Sequence, residues 1–303
     1  MRTASGALRR FEAALCLFVL CCLASAAFCP PCSAQEPGVF LWKVQGDEGS
    51  LYLLGSIHLA RDDVFPLDER IERAYRASSK VVFEVDLDEA AGSAVQKAFV
   101  EQGMCTGGTT IRDHVSRDTF RLLKKKARTA GIPVSRLEGM RPWLCALMLS
   151  MAELDRLGFR PDLGLDACLT QRAASDGKDM LFLETARFQI ELLSGLPGDL
   201  QEELLRQALR ELEVIGSQAD AMASAWKRGD AGALEAILGV SLSEYPRIRQ
   251  RLFIDRNEQW MPRLEALLAK EGDVLVVVGA GHLVGEGGLL ELFSARGLSV
   301  VQQ

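Results

Sequence analysis

Apolar and polar positions along the chain follow two rhythms, one strand-like and one helical. Residues 40–58, "FLWKVQGDEGSLYLLGSIH", hold two apolar runs around a Gly-Asp-Glu-Gly turn, the pattern of a β-hairpin. Residues 66–79, "PLDERIERAYRASS", put Leu67, Ile71 and Tyr75 on one helical face. "KVVFEVD" (80–86) reads as a strand that ends in acid. Helical periodicity covers about Thr119 to Ala130, and "IPVSRLEGM" (132–140) reads as a short strand. "RPWLCALMLSMAELDRLG" (141–158) predicts a helix that opens on Pro142 and closes at Gly158.

Further on, "GLDACLTQRAASDGK" (164–178) is helical and leads into the strand "DMLFLET" (179–185). Residues 187–238 are almost wholly helical, broken at "SGLPGD", and residues 251–272 continue in the same way. The chain closes with a strand in "DVLVVVGAGH" (273–282), a helix in "GGLLELFSARG" (287–297) and a short final strand. Strands that alternate with helices early and late predict an α/β fold: a mixed β-sheet flanked by helices, with a largely helical middle insertion.

Two stretches share one build. "LYLLGSIHLA" (51–60) and "LVVVGAGHLV" (275–284) each run an apolar strand into Gly, two residues, His and Leu. This suggests two pseudo-repeated strand-GxxH halves. It places His58 and His282, two of only three histidines, just past strand ends. That edge of an α/β sheet is where ligands bind. Glu84 and Glu184 end apolar runs in the same manner, with Glu138 in "SRLEGM" a weaker third case. An ionised carboxylate there is costly to bury unless it is paired or binds a metal. Two imidazoles and the Glu84 carboxylate make an open site suited to a divalent ion that ionises water, with Glu184 as general base or additional ligand. Two satisfied core histidines and salt-bridged strand ends are the plainer alternative. The third histidine, His114, has no such strand before it and reads as a surface or capping residue.

Composition narrows the classes. The chain has 303 residues, 48% of them hydrophobic, and a net charge of −6, which lacks the basic footprint of a nucleic-acid binder. "KKK" at Lys124 to Lys126 reads as a solvated helix face. Arg2, Arg9 and Arg10 precede an apolar run from Ala13 to Phe28, and "CSA" before Gln35 offers a cleavage site. Residues 1–34 therefore read as a secretory signal peptide, with a membrane anchor as the competing reading. Residues 35–303 then form one domain of an exported protein: periplasmic, secreted or anchored. Cys105, Cys145 and Cys168 lie beyond the leader and allow one disulfide at most. There is no HExxH and no GxSxG, and "GAGHLVGEGG" fails the GxGxxG pattern, which argues against dinucleotide binding.

With these blocks in order ("LLGSIHLARDDVFPL", "VVFEVD", "RPW", "GLD", "LFLETARFQIELLSGLP", "DRN" and "VVVGAGHLVGEGGLLELF"), the chain resembles the TraB/GumN family, which includes the TIKI proteases, from Phe40 to Gln303. The resemblance implies a fold shared with erythromycin esterases and the haem-binding ChaN proteins. It implies His58, Glu84 and His282 as metal residues, and Glu184 (in one block with Gln189), Arg256 and Asn257 as catalytic residues, with Arg256 polarising the scissile carbonyl or anchoring substrate. The activity it implies is metal-dependent cleavage of a peptide or protein substrate, with manganese or cobalt favoured and zinc as an alternative. A haem- or metal-binding protein without turnover, or an esterase-like hydrolase, is the rival implied by the related folds.

Overall fold

The computed structural model describes residues 38–303, apart from residues 62, 63, 244 and 271 and the side chains of residues 240–243. The leader expected over residues 1–34 lies outside the described residues. The chain divides into two compact units. One contains the whole sheet and the candidate site; the other is helical.

The sheet unit is built on six strands: β1 (Leu41–Gln45), β2 (Gly49–Ser56), β3 (Lys80–Phe83), β4 (Asp179–Phe182), β5 (Gly272–Gly279) and β6 (Ser299–Gln302). Their order is β4-β3-β5-β2-β1-β6. Strands β4, β3, β5 and β2 run parallel, while β1 is antiparallel to both β2 and β6, so the sheet is mixed, as expected. The run "VLVVVG" explains the central place of β5, since a strand covered on both faces reads as continuous apolar sequence. Both edge strands are only four residues long, which limits the open edge each presents.

The helices of this unit include α1 (Glu69–Ala77), α2 (Leu165–Ser175), α3 (Ala231–Ser243), α4 (Asp255–Leu268) and α5 (Leu289–Ala295). Helix α1 buries Ile71, Ala74 and Tyr75, the face its periodicity predicts, and Asp68 caps its N-terminus by accepting from the Arg70 N–H.

The two strand-GxxH stretches do become neighbouring parallel strands, β2 and β5, but out of step with their motifs. Gly55 faces Val278 and Ser56 faces Gly279. Beyond each strand the paths diverge: β5 enters a 3₁₀ turn (Ala280–His282), whereas the segment after β2 bridges Ala60 to Arg160. The wider expectation of two repeated halves is not confirmed.

The helical unit packs Pro142–Arg156, Ser93–Gly103, Arg117–Thr129, Ala186–Ser194 and Gly198–Glu211 around its own apolar core. Phe99 meets Trp143 edge-on at 5.3 Å. Three sequence expectations resolve here. The strand expected in "IPVSRLEGM" is instead a 3₁₀ turn over Val134–Arg136, and Pro133, which cannot donate to a strand ladder, occupies its N-cap. Lys126 is buried and paired with Glu213 at 2.8 Å, so the basic run is not solvated throughout. His114 is exposed, with Nε2 3.3 Å from Thr109 Oγ1.

Candidate functional site

The carboxyl ends of β2, β3, β4 and β5 each deliver one candidate residue. Register pairs Phe83 with Phe182, and the ladder runs on through Glu184 N–H to Glu84 O at 2.8 Å, which sets the two glutamates side by side. His282 is the last residue of the turn after β5 and is buried. His58 follows β2 by two residues and stays partly exposed. Glu138 belongs to the helical unit, 3.9 Å from Arg112, and takes no part.

A buried guanidinium sits among these groups. Arg256, in the first turn of α4, uses all five of its N–H bonds. Nε donates to Glu184 Oε1 at 2.8 Å, and Nη2 donates to Glu184 Oε2 at 2.8 Å and Glu84 Oε2 at 2.6 Å. Nη1 donates to the Leu252 carbonyl at 3.1 Å and meets His282 Nε2 at 2.9 Å. Leu252 lies in a π-helical turn (Gln250–Ile254) just before α4, a distortion common at functional sites.

Because a guanidinium can only donate, His282 Nε2 must accept, and the ring proton is assigned to Nδ1. Asn257 receives it: Oδ1 lies 2.7 Å from His282 Nδ1, while Asn257 Nδ2 donates to the carbonyls of His282 at 3.1 Å and Gly287 at 2.7 Å. Burial, and then the adjacent guanidinium, push the His282 pKa down to about 3. Burial alone would raise Glu84, but Arg256 first, then the two histidines and the Gly279 N–H, hold it down at about 2. Trp260, one turn along α4, donates from Nε1 to Glu184 Oε1 at 2.9 Å and stacks at 4.5 Å from the His282 ring, with Phe253 on that ring at 5.0 Å.

His58 stands apart from this network. Its Nδ1 is 3.2 Å from Asp166 Oδ1, in the first turn of α2. Burial pushes its pKa down, but the Asp166 carboxylate beside it, and then the Glu84 charge, outweigh that, and the net direction is upward. Helix α2 is docked there by Leu165 N–H to the Ile57 carbonyl at 2.9 Å. A Cβ on Gly164 would come within 2.4 Å of the His58 carbonyl, so this approach needs glycine. His58 Nε2 and Glu84 Oε1 converge over Gly279, where an added Cβ would lie 2.8 Å and 3.3 Å from them.

Of the residues singled out in the sequence, His58, Glu84, Glu184, Arg256, Asn257 and His282 thus share one sheet edge. As they stand, no three His, Cys, Asp or Glu side chains among the described residues are grouped to hold a metal ion. The model of the TraB/PrgY/gumN family matches residues 40–302. The chain belongs to that family. An uncharacterized protein of Escherichia coli strain K12, YbaP, is 27% identical over 241 residues, covering 80% of this chain and 86% of its own. Metalloprotease TIKI2 of Danio rerio is 26% identical over 326 residues, covering 89% of this chain and 62% of its own. An uncharacterized protein of Treponema pallidum is 21% identical over 301 residues, covering 93% of this chain and 88% of its own. No solved structure matches.

Sequence reading of this TraB/PrgY/gumN chain missed three contributors: Asp166, Trp260 and Phe253. Trp260 could have been found, since it follows Arg256 by one helical turn and so shares its face. Asp166 ends the "GLD" block that helps carry the resemblance, but by itself it reads as an ordinary acidic residue in a helix's first turn.

Proposed function

We propose that this chain is an exported, divalent-metal-dependent hydrolase that cleaves peptide bonds. The observation that carries the reading is the pair His58 Nε2 and Glu84 Oε1, converging over Gly279. Buried His58 Nδ1 has no hydrogen-bond partner among the described residues and faces the Asp166 carboxylate at 3.2 Å. The carboxylate behind Nδ1 is the arrangement that orients metal-binding imidazoles. The kinship with metalloproteases of Danio rerio and Nematostella vectensis supports the same class.

The donor chemistry fits a divalent ion held by His58 and Glu84. His282 completes the set only where its Nε2 exchanges the Arg256 hydrogen bond for the ion. When bound, such an ion supplies Lewis acidity and ionises water near neutral pH. The chain's own groups do the positioning. Asp166 sets its carboxylate 3.2 Å behind His58 Nδ1, which leaves Nε2 as the ring nitrogen nearest Glu84 over Gly279. Asn257 holds the His282 proton on Nδ1. Glu184 spends both oxygens on Arg256, one of them also on Trp260, and so serves as the acid that anchors the guanidinium. Arg256 keeps Glu84 ionised at every pH of interest.

The test is metal content and turnover of the purified chain, prepared without chelator or tag histidines, beside a His58→Ala/His282→Ala double variant. The expected result is about one divalent ion per chain, absent from the variant, with peptide cleavage restored by manganese, cobalt or zinc. Equal metal content in both proteins, or haem uptake with a His-dependent Soret band and no cleavage, would replace this reading with a binding protein.

A further inference from the structure

Ser56 is the residue of β2 that faces Gly279 of β5. In a parallel pair, residues in register point their side chains to the same face, so Ser56 Oγ lies on the face that His58 Nε2 and Glu84 Oε1 occupy over Gly279. The alternation agrees: a Cβ on Gly55 would meet Phe40 at 2.4 Å, on the opposite face. The strand end is held in place by Trp226 Nε1, which donates to the Gly55 carbonyl at 2.5 Å. Ser56 is 3% exposed, and its Oγ has no hydrogen-bond partner among the described residues. A buried hydroxyl left unpaired is unfavourable, and such an exception calls for a reason.

The donors around it supply that reason by elimination. All five N–H bonds of Arg256 are engaged. Asn257 Nδ2 gives both of its protons to carbonyls, Trp260 Nε1 donates to Glu184, and the Gly279 N–H donates to Glu84. Glu84 and Glu184 can only accept. Apart from the His58 ring, whose Nδ1 faces Asp166, a carbonyl oxygen brought to this edge therefore finds one unspent neutral donor among the named groups, the Ser56 hydroxyl.

We propose that Ser56 is a substrate-binding residue, whose hydroxyl donates a hydrogen bond to the carbonyl oxygen of a peptide seated over Gly279. The proposal rests on the hydrolase reading above. It makes Ser56, rather than Arg256, the group that meets the carbonyl, and nothing covalent forms at Oγ.

The experiment compares the full chain with Ser56→Ala and Ser56→Thr. It measures thermal unfolding of the metal-free proteins and kcat/KM on an unstructured peptide substrate with manganese. Ser56→Ala is expected to melt at the wild-type temperature or above it, because the hydroxyl has no partner to lose. Its kcat/KM is expected to fall about 10- to 100-fold, the cost of one missing hydrogen bond to a polarised oxygen. Ser56→Thr, which keeps a hydroxyl, retains more activity than Ser56→Ala. A lowered melting temperature with unchanged kcat/KM overturns the proposal, since the hydroxyl would then be structural. If the wild type cleaves nothing with manganese, cobalt or zinc, the hydrolase reading falls. Ser56 is then decided by the melting data alone: an unchanged or raised temperature keeps it as a ligand-facing group, and a lowered one removes it.

Discussion

Arg256 meets His282 Nε2 at 2.9 Å, and this contact makes the imidazole a neutral acceptor. The same side chain pairs with Glu84 and Glu184, so one buried cation ties three neighbours together. Geometry assigns it a different task from grasping substrate: it has no N–H left to give.

Arg256→Met removes the charge that both carboxylates face. The expected cost is about 3–5 kcal/mol of stability, the range for breaking a buried ion pair from one side. Urea unfolding at neutral pH checks this. A loss under about 1 kcal/mol would mean the carboxylates find other compensation.

Asp166→Asn should lower the His58 pKa, because the carboxylate is what outweighs the effect of burial. Titrating the His58 ring signals by NMR reads the shift directly. A His58 pKa that stays above its ordinary value in the variant would detach the upward direction from Asp166.

Acid should weaken the fold in two steps. His282 titrates near 6.5 when unfolded and at about 3 when folded, so its contribution is complete above pH 6.5 and drains as pH falls towards 3. Glu84, ordinarily 4.5 and here about 2, adds a second loss below pH 4.5. His58 runs the other way: its contribution is present below 6.5 and is lost as pH rises through its raised value. Urea midpoints between pH 7 and 4 should therefore fall in the wild type and fall less between 6.5 and 4.5 in His282→Gln. Parallel curves would contradict the assignment to His282.

Gly279→Ala places a methyl 2.8 Å from His58 Nε2 and 3.3 Å from Glu84 Oε1. The backbone there is ordinary for any residue, so the fold should survive while the imidazole is displaced. Loss of metal uptake with a melting temperature within a few degrees of wild type is the expected pair of results. Full metal uptake would remove Gly279 from the site.

Much of this was legible in the sequence for reasons that are local. Continuous apolar runs in β2 and β5 marked buried parallel strands, and the histidines after them fell at the ligand-binding edge. Glu84 and Glu184 stood out as acids ending apolar runs. Long-range choices were not legible. Which groups Arg256 would pair with depends on α4 crossing the ends of β3 and β4, where Arg263 also donates to the Leu183 carbonyl at 2.7 Å. Asp166 finds His58 only through the docking of α2. "IPVSRLEGM" misled because its spaced apolar residues, including buried Leu137, imitate strand alternation in a segment built as a 3₁₀ turn.

Strand order carries a consequence for how the protein is made. The sheet's central strand, β5, comes from residues 272–279, whereas its neighbours β2 and β3 end by residue 83. On a ribosome, both neighbours emerge long before the strand that joins them. Through that interval each carries an apolar edge with no mate, the condition that invites misassociation. A chain halted before residue 272 would hold Glu84 and His58 but neither β5 nor His282. The sheet and the candidate site are thus completed together, once residues 272–282 have been made, and a product truncated before them is expected to reach proteases rather than function.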